Sequence, residues 1–131
     1  MKVMALDFGS ARTGVAVSDP TGVIARPLGV VARAASEDGL AELERLVADE
    51  GPEQVVVGHP LTLRGERGEQ ARATERFAAA LRARLEVPVL LFDERFTTDL
   101  AQQTPSDSAE DARAAAHLLS SYLAWSSAAP A

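Results

Sequence analysis

Short apolar runs separated by turn residues occupy the first quarter of the chain and predict three β-strands. Val3, Ala5 and Asp7 share one face of the first strand, because side chains alternate between the faces of a pleat. This strand therefore ends on a carboxylate, which is costly to bury unless something pairs with it or binds it. Turn signals follow, and the next two strands are predicted at 13–18 and 23–31.

The pattern then changes to a helical period, and strands and helices alternate. Ser36 can cap a helix that ends at Gly51-Pro52. The remaining predicted elements are a buried strand at 54–58, a helix at 66–85, a strand at 87–92, a helix at 108–125 and a frayed tail at 126–131. The order βββαβαβα predicts an α/β fold, a mixed five-stranded sheet with helices on both faces.

The composition indicates a single globular domain of 131 residues, 47% hydrophobic and 24% charged. The chain has no cysteine, which excludes disulfides, thiolate zinc sites and cysteine nucleophiles. Asp7 interrupts the first apolar run, so we expect no signal peptide, and no run approaches the ~20 apolar residues of a membrane span. We therefore expect a cytoplasmic protein with no membrane partner.

The net charge of −6 argues against a nucleic-acid partner, since phosphate binding usually requires a basic surface. The segment 64–84 is an exception, because its six arginines and three glutamates give it a local charge of +3. The arginine fork suits phosphate oxygens, so this segment is a candidate nucleic-acid surface. An ordinary solvated helix face is the alternative.

Acids stand at the ends of two predicted parallel strands and at the start of the last helix. Asp7 ends the first strand, Asp93-Glu94 follows the last strand, and Asp111 lies in the first helical turn. Ligands of such sheets bind beyond the carboxyl ends of the strands, where these acids can converge. Oxygen ligands suit Mg²⁺ or Mn²⁺, and a pair of such ions can flank a scissile phosphodiester.

Each acid also has a structural interpretation. Asp7 can accept N–H groups of the turn that follows it, and Asp111 can complement the helix macrodipole. Asp93 and Glu94 point to opposite faces of their strand, so only one of them can face Asp7. The other can pair with Arg95 or another arginine, and the pattern alone does not choose between them.

Four blocks of sequence resemble the YqgF/RuvX family, which is similar to the Holliday-junction resolvases of the ribonuclease H-like superfamily. The blocks cover nearly the whole chain in the family's order: Ala5-Leu6-Asp7-Phe8-Gly9 with Gly14-Val15-Ala16-Val17-Ser18-Asp19; Val57-Gly58-His59-Pro60-Leu61; Asp93-Glu94-Arg95-Phe96-Thr97-Thr98; and Asp111 with Ser121-Tyr122-Leu123. The resemblance implies a ribonuclease H-like fold. It also implies that Asp7, Glu94 and Asp111 are the catalytic, metal-binding carboxylates, which selects Glu94 over Asp93.

The resemblance further implies a nuclease that matures the 5′ end of the small-subunit (16S) ribosomal RNA precursor. A Holliday-junction resolvase acting on branched DNA and a non-catalytic RNA-binding module for ribosome assembly are the alternatives. A sugar-kinase or actin-like ATPase is a further rival, but those proteins need a second domain and this chain is too short for one. Our hypothesis is a Mg²⁺- or Mn²⁺-dependent phosphodiester hydrolase, monomeric or weakly dimeric. Its partners would be structured RNA, branched DNA or ribosomal precursor particles.

Other side chains are candidates for substrate contact. The predicted nucleic-acid contacts are Arg12, Arg64, Arg67, Arg72 and Arg95, and the secondary site candidates are His59, Asp93 and Thr97. His59 follows a buried strand, where it could act as a general base or contact phosphate. A structural role is the more common one for a loop histidine. Thr97 can cap the next segment or contact phosphate.

The chain departs from the family pattern near the expected substrate. The family's loop after the fourth strand usually reads Gly-Leu-Pro-Leu-Asn-Met-Asp-Gly, and four of these positions are replaced here by His59, Thr62, Leu63 and Arg64. The segment between Thr98 and Asp111 is about half the usual length. Substrate choice can therefore differ from that of the family even where the acids are kept.

Overall fold

The computed structural model describes residues 1–96 and 108–128. Its strands are β1 (Val3–Asp7), β2 (Arg12–Ser18), β3 (Ala25–Ala32), β4 (Gln54–His59) and β5 (Val89–Asp93). Its helices are α1 (Glu37–Glu50), α2 (Glu69–Arg84) and α3 (Ser108–Ala128), and a 3₁₀ turn at Glu94–Phe96 follows β5. The predicted order of strands and helices is confirmed.

The five strands form one mixed sheet in the order β3-β2-β1-β4-β5. β1 is antiparallel to β2 and parallel to β4, and β4 is parallel to β5. The carboxyl ends of β1, β4 and β5 therefore meet at one rim of the sheet, which we call the carboxyl rim. Asp7 stands opposite Gly14 of β2, and His59 stands opposite Asp93 of β5.

The sheet is covered on both faces, as the sequence pattern predicts. One face packs against α1 and α2, and its buried residues include Met4, Leu6, Val55, Val57, Leu43, Phe77 and Leu81. The other face packs against α3, and its buried residues include Val3, Ala5, Val56, Phe92, Ala115, Leu118 and Leu119. Because alternate strand residues share a face, Asp7 of β1 continues the face that α3 covers.

Local signals fix both ends of α1. The Ser36 hydroxyl accepts the N–H of Gly39 at 3.1 Å, as an N-cap should. Gly51 ends the helix in the left-handed region, with φ 64°, and its N–H donates to the carbonyl of Val47. The prediction of this helix is confirmed at both ends.

Several predicted boundaries differ from the structure, among them that of β5, which spans Val89–Asp93 rather than 87–92. Two further boundaries are wrong because side chains take over backbone groups. The third strand begins at Ala25 rather than at residue 23, because Asp19 Oδ1 accepts the N–H groups of Val23 and Ile24 at 2.8 Å each. The second helix begins at Glu69 rather than at residue 66, because Thr62 Oγ1 accepts the N–H of Glu66 at 3.0 Å.

The ends of the last helix lie near the part of the chain that is not described. α3 starts at Ser108 as predicted and continues to Ala128, three residues past its predicted end. The polar segment 100–107, for which the sequence predicts a loop or a helical stub, and the site candidate Thr97 lie outside the described residues. Over 1–96 and 108–128, the structure contains no helix long and apolar enough to cross a membrane.

Gly14 lets α3 approach the sheet closely. A Cβ atom built on Gly14 would lie 1.9 Å from the backbone oxygen of Asp111, well inside contact distance. The first turn of α3 therefore rests directly on the backbone of β2. Any side chain at residue 14 would push Asp111 away from the carboxyl rim.

We predict that Gly14→Ala lowers the free energy of unfolding by about 3 kcal/mol, at the upper end of the usual cost of overpacking. Gly29→Ala is the matched control, because Gly29 lies in β3 and a Cβ there meets no atom within 4 Å. Urea unfolding followed by circular dichroism measures both variants. Equal midpoints for the two variants would contradict the close packing of α3 on β2.

Candidate active site

Asp7 ends β1 on the face that α3 covers and is largely removed from water. Its pKa is raised, chiefly by burial and also by the negative charge of Asp111. A hydrogen bond from the Glu94 side chain acts in the opposite direction, because it stabilises the Asp7 carboxylate. Asp7 is therefore a buried acid held beside two other acids.

Glu94 reaches Asp7 across the strand that separates them. β4 lies between β1 and β5, and its residue beside this contact is Gly58. A Cβ on Gly58 would lie 2.5 Å from Glu94 Oε1, so only glycine leaves room for the glutamate. Burial, the charge of Asp7 and the hydrogen bond to Asp7 raise the pKa of Glu94 to about 7. Below about pH 7, Glu94 therefore mostly holds a proton, which it donates to Asp7.

Asp111 supplies the third carboxylate from the first turn of α3. Arg12 Nε lies 2.9 Å from Asp111 Oδ2, and the Asp111 side chain is only 17% exposed. This buried oxygen accepts no hydrogen bond from the described residues, so the ion pair leaves its lone pairs without an aligned donor. An acceptor oxygen of this kind is suited to a cation, because a cation needs no directed N–H or O–H group.

The donor set suits a hard divalent cation. It consists of carboxylate oxygens alone, two of them sharing a proton and one buried without a hydrogen bond. Within residues 1–96 and 108–128, however, no three acidic or histidine side chains stand close enough to hold one ion as they are. The Glu94–Asp7 hydrogen bond and the Arg12–Asp111 ion pair stabilise the carboxylates in its place.

A scan against family models matches residues 1–125 to the RuvX family, described as Holliday junction resolvase. A protein of Rubrobacter xylanophilus is 45% identical over 93% of this chain and 91% of its own. A protein of Chloroflexus aggregans is 48% identical over 77% of this chain and 71% of its own. Both carry the name "Putative pre-16S rRNA nuclease". The chain belongs to the RuvX family.

Solved structures show the same fold. RuvC of Thermus thermophilus, solved with a Holliday junction substrate, superposes with a TM-score of 0.62 over 98% of this chain and 96% of RuvC, at 18% identity. The fowlpox virus resolvase, solved with Holliday junction DNA, has a TM-score of 0.53 over 95% and 98%, at 12% identity. Together with the observed sheet, these neighbours confirm the predicted ribonuclease H-like fold of this RuvX-family chain.

The structure also shows what the acid next to Glu94 does. Asp93 points to the other face of β5 and binds Arg95 bidentately, with Nε and Nη2 at 2.9 and 2.6 Å from Oδ2. This pairing holds the pKa of Asp93 below its usual range. The prediction that one acid faces Asp7 while its neighbour pairs with Arg95 is confirmed, and Asp93 does not join the carboxylate group.

His59 forms a structural contact rather than facing the three acids. Its Nε2 lies 2.7 Å from Glu75 Oε2, and Arg67 Nε donates to the same oxygen at 2.8 Å. Both partners lower the pKa of Glu75 to about 2, and Arg67 has the larger effect. This geometry does not support His59 as a general base. The contact agrees instead with a structural role for this histidine.

The arginines of the predicted nucleic-acid surface divide into two groups. Arg67, Arg95 and Arg12 already contact carboxylates, while Arg64 and Arg72 are exposed and make no ion pair with a described residue. Farther along α2, Arg82 donates to the carbonyl of Val89, and Arg84 binds Glu44 and Glu37 of α1. At the α2 end of segment 64–84, these two arginines are therefore engaged in contacts within the protein, and the nucleic-acid surface itself stays a prediction.

Sequence reasoning missed two residues: Gly58, which leaves room for Glu94, and Glu75, which contacts His59 and Arg67. Gly58 interrupts a run of buried valines, a signal that another group approaches the backbone there. Phe92 could also have shown that Glu94 faces Asp7, since Glu94 follows it by two residues and Phe92 packs against α3. No local signal marks Glu75, which lies 16 residues from His59.

The raised pKa of Glu94 predicts how stability depends on pH when divalent cations are removed. The pKa of Glu94 is about 7 in the folded protein, whereas unfolded Glu94 releases its proton near the ordinary glutamate pKa of 4.5. Between these values the unfolded state binds fewer protons, so the free energy of unfolding falls as pH rises. We expect a loss of up to about 3 kcal/mol from pH 4.5 to 8.

Glu94→Gln should remove most of this decline, because glutamine does not titrate. The measurement is urea unfolding in EDTA at half-unit steps between pH 4.5 and 8. Glu44→Gln, which alters the ion pair with Arg84 at the opposite end of α2, should keep the wild-type slope. A wild-type protein whose stability rises over this interval would contradict the buried, shared proton.

Proposed function

We propose that this chain is a nuclease that hydrolyses phosphodiester bonds and that Asp7, Glu94 and Asp111 are its catalytic residues. The observation that carries the proposal is the buried hydrogen bond between Asp7 and Glu94, with the charge of Asp111 beside it. Burying three acids at one rim costs stability, and a protein tolerates such a cost most often at a functional site. The two relatives named as nucleases support the same activity.

The ligand we propose for these acids is Mg²⁺ or Mn²⁺. Such an ion, when bound, supplies an activated water and neutralises charge on the scissile phosphate. The three acids are the residues of this chain that would hold the ion. Glu94 must first give up the proton that it shares with Asp7, so occupation of the site is coupled to proton release. Arg12 holds Asp111 at the rim until then.

The substrate that we propose is precursor small-subunit (16S) ribosomal RNA, in the cytoplasm and in precursor particles. The names of the two relatives favour RNA. Branched DNA is the alternative, because the family model is described as a Holliday junction resolvase. Symmetrical cutting of a junction requires two active sites related by a two-fold axis, so the oligomeric state on each substrate separates the two.

Divalent cations should stabilise the folded protein through the three acids. At a Mn²⁺ concentration of 100 times Kd, the expected gain is about 2.7 kcal/mol, measured as a rise in Tm at pH 8. Asp111→Asn should lose most of this rise, since an amide binds the ion more weakly than a carboxylate. Asp49→Asn is the control, because Asp49 is exposed near the end of α1 that leads away from the carboxyl rim. Equal rises in both variants would rule out Asp111 as a ligand.

Loss of a carboxylate should abolish cleavage while the protein stays folded. Loss of a group that merely supports a metal ligand already costs about 10- to 100-fold, so Asp7→Asn should lower kcat by about 100-fold or more. The assay compares wild type, Asp7→Asn and the control Asp49→Asn on a labelled RNA hairpin with a single-stranded 5′ extension and on a four-way DNA junction. Mn²⁺ and EDTA arms are run in parallel.

The outcomes separate the candidate functions. Cleavage of RNA alone supports the ribosomal role, and cleavage of the junction by a dimer supports the resolvase. RNA retention that survives EDTA, with no cleavage by the wild type, would identify a non-catalytic binding module. Equal cleavage by wild type and Asp7→Asn would end the assignment of these acids.

A further inference from the structure

A single carboxylate closes the loop between β4 and α2, residues 60–68. Glu75 of α2 accepts contacts from His59, which precedes the loop, and from Arg67 near its other end. Both meet Glu75 Oε2, at 2.7 and 2.8 Å respectively. One side chain of α2 therefore fixes the separation between the two ends of the loop.

The tip of this loop rests against the turn that carries Glu94. Arg95 Nη1 donates to the carbonyl of Leu63 at 3.5 Å, and a Cβ on Gly65 would lie 3.2 Å from the same nitrogen. Arg95 is itself fixed by Asp93, the residue before Glu94. The loop is thus held from its base by α2 and from its tip by the carboxyl rim.

Arg64 lies between those two tip contacts and keeps its charge available. It is exposed and forms no ion pair with any residue the structure describes, whereas Arg67 and Arg95 each bind a carboxylate. The neighbouring Leu63 is 94% exposed, so the tip projects into solvent. An exposed guanidinium on a loop whose neighbouring residues contact Arg95, the residue after Glu94, is suited to a phosphate oxygen of a substrate bound at the carboxyl rim.

The loop is anchored and also carries an exposed positive charge. His59 supplies one of the two contacts to Glu75, and Arg64 adds its charge at the tip. A loop of this kind is suited to a contact with the phosphates of a nucleic acid.

We propose that Glu75 is a positioning residue that holds the 60–68 loop so that Arg64 binds a phosphate of the nucleic-acid backbone beside the Asp7–Glu94 pair. The inference deepens the proposed function and rests on it only for the class of substrate, a nucleic acid. Glu75 does not touch the substrate. It acts through the loop by joining His59 to Arg67.

The test is RNA binding in EDTA, where cleavage plays no part. A fluorescein-labelled RNA hairpin with a single-stranded 5′ extension is titrated by fluorescence anisotropy from 50 to 200 mM salt. Arg64→Ala should raise Kd about 3- to 10-fold and reduce the slope of log Kd against log salt by about 0.7, the value for one phosphate on a single strand. Arg64→Lys should retain most of the slope.

Glu75→Gln should weaken binding to a similar extent, because the loop then no longer holds Arg64 in place. The decisive comparison is the double variant, Glu75→Gln with Arg64→Ala. Because Glu75 acts through Arg64, the Kd of the double variant should exceed that of Arg64→Ala alone by less than 2-fold. Glu44→Gln is the matched control, since it removes an ion pair with α2 at the helix's other end, and it should leave Kd unchanged. His59→Leu, which cuts one of the two contacts, should cause a smaller loss, and Tm is measured for every variant.

Each outcome decides the question. Unchanged binding by Arg64→Ala, or a wild type that binds neither this RNA nor a four-way junction, would overturn the phosphate contact. Additive losses in the double variant would overturn the positioning role of Glu75. A wild type that binds RNA through Arg64 but never cleaves it would refute the proposed nuclease activity and leave this inference standing. A wild type that cleaves RNA but binds it independently of Arg64 would refute this inference and leave the nuclease activity standing.

Discussion

The structure depends on two acids, Asp7 and Glu94, that lie side by side and half-buried at the carboxyl rim. Two neighbouring carboxylates cannot both be charged there without a counter-charge, so the pair keeps a proton. In the function proposed above, a divalent cation would supply that counter-charge in place of the proton. The arrangement that holds the proton is thus also the one on which the proposed metal site depends.

Glycines at the strand ends make this arrangement possible. Gly58 leaves the space that Glu94 crosses to reach β1, and Gly14 lets the first turn of α3 rest on β2. Side chains at either position would separate the acids by the width of a methyl group or more. The positions of the acids at the carboxyl rim therefore depend on the small size of these two glycines.

Arginines in this acidic chain serve mainly to organise it. Arg84 joins α2 to α1, Arg82 binds the start of β5, and Arg67 and Arg95 hold the 60–68 loop. Arg64 makes no ion pair within the described residues, and its loop contacts Arg95 beside the carboxyl rim. A chain of net charge −6 can therefore still offer a local basic group to a polyanion.

The sequence by itself determined the order of the elements and the caps of α1, because alternation and capping are local properties. It also placed acids at two strand ends and at a helix start, but the pattern did not choose between Asp93 and Glu94. Tertiary structure decided what local patterns could not. The face of Glu94 depends on the packing of Phe92 against α3, and the role of His59 depends on Glu75, which lies on a different element. The availability of each arginine likewise depends on which carboxylate lies within about 4 Å of it, the limit of an ion pair. That distance is set by packing between segments far apart in the chain.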